Sequence, residues 1–185
     1  MSIIVVTPPA TEPVSVAEAK VFLRVDHDAE DSLIVDLIRA AREGVEAHTG
    51  CAIIQRRLRE RRRSRDIDAR GALRLQFGPV AVVHAVTSTP DGGSPTTLAS
   101  ADYALDGIDH PGSIVLRSGA AAGAIEVEYT CGFGVAPGDA PDGLKQGVLE
   151  VVRSLFAARA EPASSHTPLG PRALAMIAPF RRMRL

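Results

Sequence analysis

Hydrophobic periodicity switches twice along this chain, and no other feature constrains the fold as much. Between Ser15 and Gly50, apolar residues return every three or four positions, as one buried face of an α-helix requires. From about residue 52 to 130 they alternate or gather in short β-branched runs. Helical spacing then resumes between Pro141 and Arg159. The pattern predicts an α+β fold. It has a mainly α-helical core, a small antiparallel β-rich insertion at about 52–130, and an extended C-terminal arm.

Local signals place the elements. Ser15-Val16-Ala17-Glu18 is a capping-box pattern, in which hydroxyl and carboxylate satisfy early backbone donors, and a helix over about 15–25 follows with Ala19, Phe22 and Leu23 on its apolar side. Asp28 and Asp31 open a second helix, about 30–49, where acids suit the positive end of the dipole. Its stripe is Leu33, Ile34, Leu37, Ile38, Ala41 and Val45, and Gly50 suits a left-handed stop. Strands are expected where Leu73, Leu75 and Phe77 alternate with Arg74 and Gln76, at Val80–Thr89, and around Tyr103–Leu105, Ser113–Leu116 and Ala124–Tyr129. Pro90-Asp91-Gly92-Gly93 reads as a turn. A third helix, about 141–159, carries Leu144, Val148, Val151, Val152, Leu155 and Phe156. Residues 1–160 thus read as one domain. Glu161 to Pro168 reads as an extended linker, and 161–185 as an arm ending in an apolar segment, Leu174–Ile177, and a basic tail.

Catalytic signatures are missing from the sequence. The five histidines never pair with one another or with a cysteine at metal-ligand spacing, and no GxSxG is present. Gly132-Phe133-Gly134 lacks the further residues of a phosphate-binding loop. Asp102, Asp106 and Asp109 miss calcium-loop spacing and read as turn and edge charges. No apolar run approaches the length of a membrane span, and the opening residues lack the basic and long apolar regions of a secretory signal. Cys51 and Cys131 stand far apart, as in a reduced cytosolic protein. The expectation is a soluble, intracellular, non-enzymatic chain with no catalytic residue, metal, cofactor or membrane contact.

Charge is strongly segregated beneath a net value of −1. Residues 1–55 carry nine acids and four bases, and residues 66–160 carry eleven acids and six bases. Between them, residues 56–65 hold seven arginines against Glu60, and residues 161–185 hold four arginines against Glu161. In a strand, Arg57, Arg59, Arg61 and Arg63 would share one side, opposite Arg56, Leu58, Glu60 and Arg62. Arginines this dense repel one another and favour an anionic neighbour. Three readings stay open: a solvated strand, contact with acids of another subunit, or contact with nucleic-acid backbone. The last would make the chain a nucleic-acid-backbone-binding accessory protein using Arg56–Arg65. The acidic remainder and the absence of tryptophan argue against that as a primary role.

The order of motifs resembles the head–tail connector (adaptor, or head-completion) proteins of long-tailed phages and gene transfer agents. Pro13-Val14-Ser15-Val16-Ala17-Glu18-Ala19-Lys20 with Phe22-Leu23-Arg24-Val25 is similar to that family's P-x-S-L-x-E-A-K-x-x-L-R-V opening. The next helix, Asp31 to Gly50, closes on Thr49-Gly50, similar to the family's A-x-x-x-T-G ending. Leu73 to Val80 resembles the family's strand and P-V turn, and Ile125 to Gly134 its V-x-V-x-Y-x-A-G-Y-G. Ala178-Pro179-Phe180-Arg181-Arg182 resembles its C-terminal P-Y-R. The arginine run departs from the more mixed strand usual there, and Phe133 and Phe180 stand in place of tyrosine.

The resemblance implies a structural role. Such proteins form a ring beneath the portal, twelvefold by its match to the portal, continue the DNA channel without sequence specificity, and offer a lower face to stopper or other tail-completion proteins. The implied location is the portal vertex of a phage-like particle, with assembly in the bacterial cytoplasm. The expected docking residues are Leu174, Met176, Ile177, Pro179, Phe180, Arg181, Arg182 and Arg184. Arg57, Arg59, Arg61 and Arg63 are the expected contacts to an anion or a neighbouring subunit.

Overall fold

The computed structural model describes residues 2–107, 112–117, 123–159 and 169–181. The chain divides into two compact units, one built from Met1–Pro9 and Gln55–Gly132, the other from Ala10–Ile54 and Phe133–Leu185. The first is built of β-strands with a 3-10 turn at Ser64–Asp66; the second is helical.

The helical unit contains α1 (Val16–Leu23), α2 (Asp31–Thr49), α3 (Asp142–Ala158) and α4 (Pro171–Ile177). The expected capping box is formed: the Glu18 amide donates to Ser15 Oγ at 3.1 Å, and the Ser15 amide donates to the Glu18 carboxylate at 2.8 Å. The Ser15 amide foremost, and then the Ser15 hydroxyl donating to the same carboxylate at 2.7 Å, hold the Glu18 carboxyl below its ordinary range. α2 ends at Gly50, whose φ of 75° lets its amide reach back to Glu46 O at 2.8 Å. Ile34, Ile38, Ala41 and Val45 of α2 meet a core shared with Leu144, Val148, Val151 and Val152 of α3.

One charged cluster sits inside this unit. Arg42 and Glu46, one turn apart on α2, are both buried, with 2.8 Å between guanidinium and carboxylate. Arg42 also donates to Glu12 at 2.7 Å, and Glu46 accepts from the Ile53 amide at 2.8 Å. Each buried charge is therefore paired and hydrogen-bonded, the condition under which burial is tolerable. The carboxylates raise the Arg42 pKa further despite the opposing effect of desolvation.

Among the described residues the β unit has eight strands: β1 (Ser2–Thr7), β2 (Arg56–Arg63), β3 (Ala72–Arg74), β4 (Val80–Pro90), β5 (Thr96–Thr97), β6 (Tyr103–Asp106), β7 (Ser113–Leu116) and β8 (Gly123–Cys131). Their order is β1-β2-β8-β4-β5 in one sheet and β3-β7-β6 in the other, and every pair is antiparallel. Alternation along β8 sends Ile125, Val127, Tyr129 and Cys131 inward, where Leu73, Ile114 and Leu116 of the smaller sheet, and Leu75 just past β3, are also buried. The predicted turn at 90–93 closes through the Gly93 amide to Pro90 O, 3.0 Å.

The α+β class read from the sequence holds, but helix does not dominate: among the described residues 37% are helical and 31% are in strands. Two features lay outside the sequence reading. Residues 2–7 form an edge strand of the larger sheet, so the β unit draws on residues ahead of α1. Residues 171–177 of the expected arm are helical. The linker predicted at 161–168 lies outside the described residues.

Candidate functional site

The arginine run is a strand, and its alternation follows the sequence pattern. β2 pairs on both edges, with β1 and with β8, and its residues are alternately inward and outward. Leu58 and Glu60 are buried, Arg56 nearly so, and Arg62 is largely covered. Arg57, Arg59, Arg61 and Arg63 lie on the opposite, open face.

The inward side explains the single acid in the run. Glu60 is fully buried and accepts from the Tyr129 hydroxyl at 2.9 Å, the Gln76 amide at 2.9 Å, and the Arg62 guanidinium. Arg56 lies 5.2 Å from the Phe77 ring centroid, a cation–π distance. Tyr129 has its pKa pushed up by burial and by the Glu60 carboxylate beside it. This is a structural network centred on Glu60, which three donors hold inside the β unit.

The outward side is divided. Register places Arg59 opposite Glu128 and Arg61 opposite Glu126 on β8. Arg59 donates to Glu128 at 2.8 Å and lies 3.6 Å from Glu126, and Arg57 also pairs with Glu128. The Arg59 hydrogen bond, then the charge of Arg57, holds the Glu128 carboxyl below its ordinary range. Arg61 and Arg63 make no ion pair among the described residues. They line, with Ser64, Arg65, Thr89 to Gly93, Gly123 and Ala124, an open cleft of about 490 Å³. Sequence alternation had grouped four arginines; the glutamates of β8, some seventy positions away, split them into two kinds. Arg65, beyond the strand, joins the second kind.

The expected docking residues are also divided. α4 sits on α3 where Gly143 and Gly147 leave room; a Cβ on Gly147 would overlap the Ile177 side chain. Ile177 and Ala173 are consequently buried in the helical unit. Phe180 is half-buried and stacks edge-on against Phe133, with centroids 6.4 Å apart. Leu174, Met176, Pro179 and Arg181 are exposed, while Arg182 and Arg184 lie outside the described residues. The physical reason for the division is amphipathy: in a helix this short, positions 173 and 177 share a face, and 174 and 176 point away from it.

Gly134 owes its presence to packing: a Cβ there would overlap Asp139, whose carboxylate accepts the Ala136 amide at 2.9 Å. Among the described residues no group of three or more His, Cys, Asp or Glu could hold a metal ion, and no helix is long and apolar enough to cross a membrane. Burial pushes the Cys51 thiol up to about 11, so it stays protonated near neutrality.

Residues 13–89 match the family model of phage gp6-like head–tail connector proteins. No curated protein matches the chain. Among solved structures, a chain in the virion of a native gene transfer agent particle has a TM-score of 0.80 at 26% identity, over 100% of this chain and 97% of that one. A chain in the neck of an empty gene transfer agent particle, computed with sixfold symmetry, gives 0.77 at 26% identity with the same coverage. A chain in the neck of the native particle, computed with twelvefold symmetry, gives 0.73 at 24% identity, again over 100% and 97%.

Proposed function

We propose that the chain is a head–tail connector protein, a ring component of the neck of a phage-like particle. Copies of the chain surround the DNA channel beneath the portal, one face meeting the portal protein and the other a stopper or tail-completion protein. The observation that carries this reading is the length of the likeness. Both units, end to end, share their fold with chains of gene transfer agent particles, and the sixfold and twelvefold symmetry of those necks supports self-association into a ring.

The local chemistry supports a scaffold. The buried carboxylates of Glu46 and Glu60 are each held by donors of their own unit, which fixes geometry. On this reading Leu174, Met176, Pro179 and Phe180 present an apolar edge to the portal, with Arg181, Arg182 and Arg184 steering the approach to an acidic rim. Ile177 acts from inside, holding α4 to α3. Of the four open-face arginines, Arg61 and Arg63 face an adjoining subunit or the DNA in transit, while Arg57 and Arg59 pair with Glu126 and Glu128. The chain is located in the particle at the portal vertex, and is made in the bacterial cytoplasm.

Co-expression with the portal protein tests this. The expected result is co-elution of the two in size-exclusion chromatography with light scattering, as a complex holding many copies of the chain. Separate elution at micromolar concentration would contradict it. The variant Leu174→Ser/Met176→Ser should retain its circular dichroism and lose co-elution; retained co-elution would remove α4 from the interface.

A further inference from the structure

The division of the arginine strand has a consequence beyond assembly. Arg57 and Arg59 spend their charge on Glu126 and Glu128. Arg61, Arg63 and Arg65 are exposed and converge on the open cleft at the end of the larger sheet, where Asp91 is the one acid among the lining residues. Three cations facing one carboxylate across a concave, solvent-filled space leave a local excess of positive charge. Anions are drawn there by Coulomb attraction focused by the walls.

The walls indicate which anion. Thr89, Pro90, Gly92, Gly93, Gly123 and Ala124 offer backbone, small side chains and one hydroxyl, with no large apolar residue. A protein interface centres on buried aromatic or aliphatic anchors, and this cleft supplies none. Phosphate groups need no such anchor: guanidinium groups meet them with paired, charge-assisted hydrogen bonds. Residues two apart on a strand are about 6.6 Å apart and share one face, so their guanidinium groups can reach neighbouring phosphates of one backbone. Arg61 and Arg63 stand in that relation on β2, and Arg65 extends it into the turn that follows.

We propose that the cleft of Arg61, Arg63 and Arg65 binds the phosphate backbone of duplex DNA without reading its sequence. The proposal rests on the connector reading only in naming DNA as the source of phosphate. It separates these three from Arg57 and Arg59, which serve to fix β2 against β8.

Fluorescence anisotropy of a labelled random-sequence duplex, titrated with the full chain at several salt concentrations, tests it. The wild type should bind at low salt and weaken steeply as salt rises. Arg61→Gln/Arg63→Gln/Arg65→Gln should lose at least about tenfold in affinity at low salt, and three lost phosphate contacts should lower the slope of log K against log salt by about 2.7. The charge-neutral control Arg59→Gln/Glu128→Gln should bind like the wild type. Should the triple variant fail to fold, Arg63→Gln and Arg65→Gln singly should each lower the slope by about 0.9. No wild-type binding, equal binding by the triple variant, or competition by polyglutamate as effective as by duplex at equal charge would overturn the proposal, the last assigning the cleft to an acidic protein. Incorporation of wild type and triple variant into particles is scored separately. Wild type missing from particles refutes the connector reading, and leaves the anisotropy result to judge the cleft.

Discussion

Replacing Glu60 with alanine probes how the β unit tolerates an acid in its core. Glu60 is fully buried, and its carboxylate receives the Tyr129 hydroxyl and the Gln76 amide, each at 2.9 Å, together with the Arg62 guanidinium. Removing it orphans the Tyr129 hydroxyl in a fully buried position and strands Arg62, whose side chain is 17% exposed. An orphaned buried donor costs about 1–3 kcal/mol, and breaking one side of a buried ion pair costs about 3–5 kcal/mol. Gln76 and Arg62 keep partial access to water, which places the expected loss near the lower end, about 3 kcal/mol. Because the chain forms two units, the assay must read the β unit alone. Amide hydrogen exchange of β2 and β8 does so, since those amides open with the sheet. Glu60→Gln keeps an acceptor for Tyr129 and should lose roughly half as much as Glu60→Ala. Tyr129→Phe combined with Glu60→Ala should cost less than the sum of the two singles, because they share one bond. A loss below about 1 kcal/mol for Glu60→Ala, or strict additivity with Tyr129→Phe, would refute the network as a source of stability.

Other perturbations follow from the same geometry. Ser15→Ala removes the cap of α1 and should lower stability by about 1 kcal/mol in urea denaturation followed by circular dichroism. Gly147→Val places side-chain atoms where Ile177 sits, so trypsin should cut at Arg172 several-fold faster while α2 and α3 keep their exchange protection. Glu128 has a folded-state pKa below its ordinary 4.5, so its pairing with Arg59 is fully stabilising above about pH 4.5 and fades as pH falls through the lowered value. Glu128→Gln should therefore flatten the acid limb of the β unit's stability profile, measured by exchange of β2 amides; an unchanged acid limb would contradict the pairing.

Elements with a strong local signal were legible in the sequence. The Ser15–Glu18 box, the α2 stripe ending at Gly50 and the turn at Pro90–Gly93 each rest on interactions within a few residues, and each formed as read. The two faces of the arginine strand were legible too, because alternation is a property of one strand. Its partners were not. Glu126 and Glu128 reach Arg57 and Arg59 through a register set by distant pairing, and Glu60 finds Tyr129 sixty-nine positions away. β1 carries Ile3, Ile4, Val5 and Val6, an apolar run without alternation, and its strand state depends on the edge that β2 offers. α4 escaped for the reverse reason: seven residues are too few for a periodic signal, and its place is fixed by the absent side chains of Gly143 and Gly147.

The neck assignment is tested most directly by the particles themselves. Particles purified from a host in which the chain carries a small tag should be imaged by electron cryomicroscopy with tag labelling, with copy number measured by quantitative mass spectrometry against the portal protein. The account predicts label at one vertex only, between head and tail, and equal copies of chain and portal protein, arranged in a twelvefold ring. Label spread over the capsid or along the tail, or particles that complete without the chain, would contradict it.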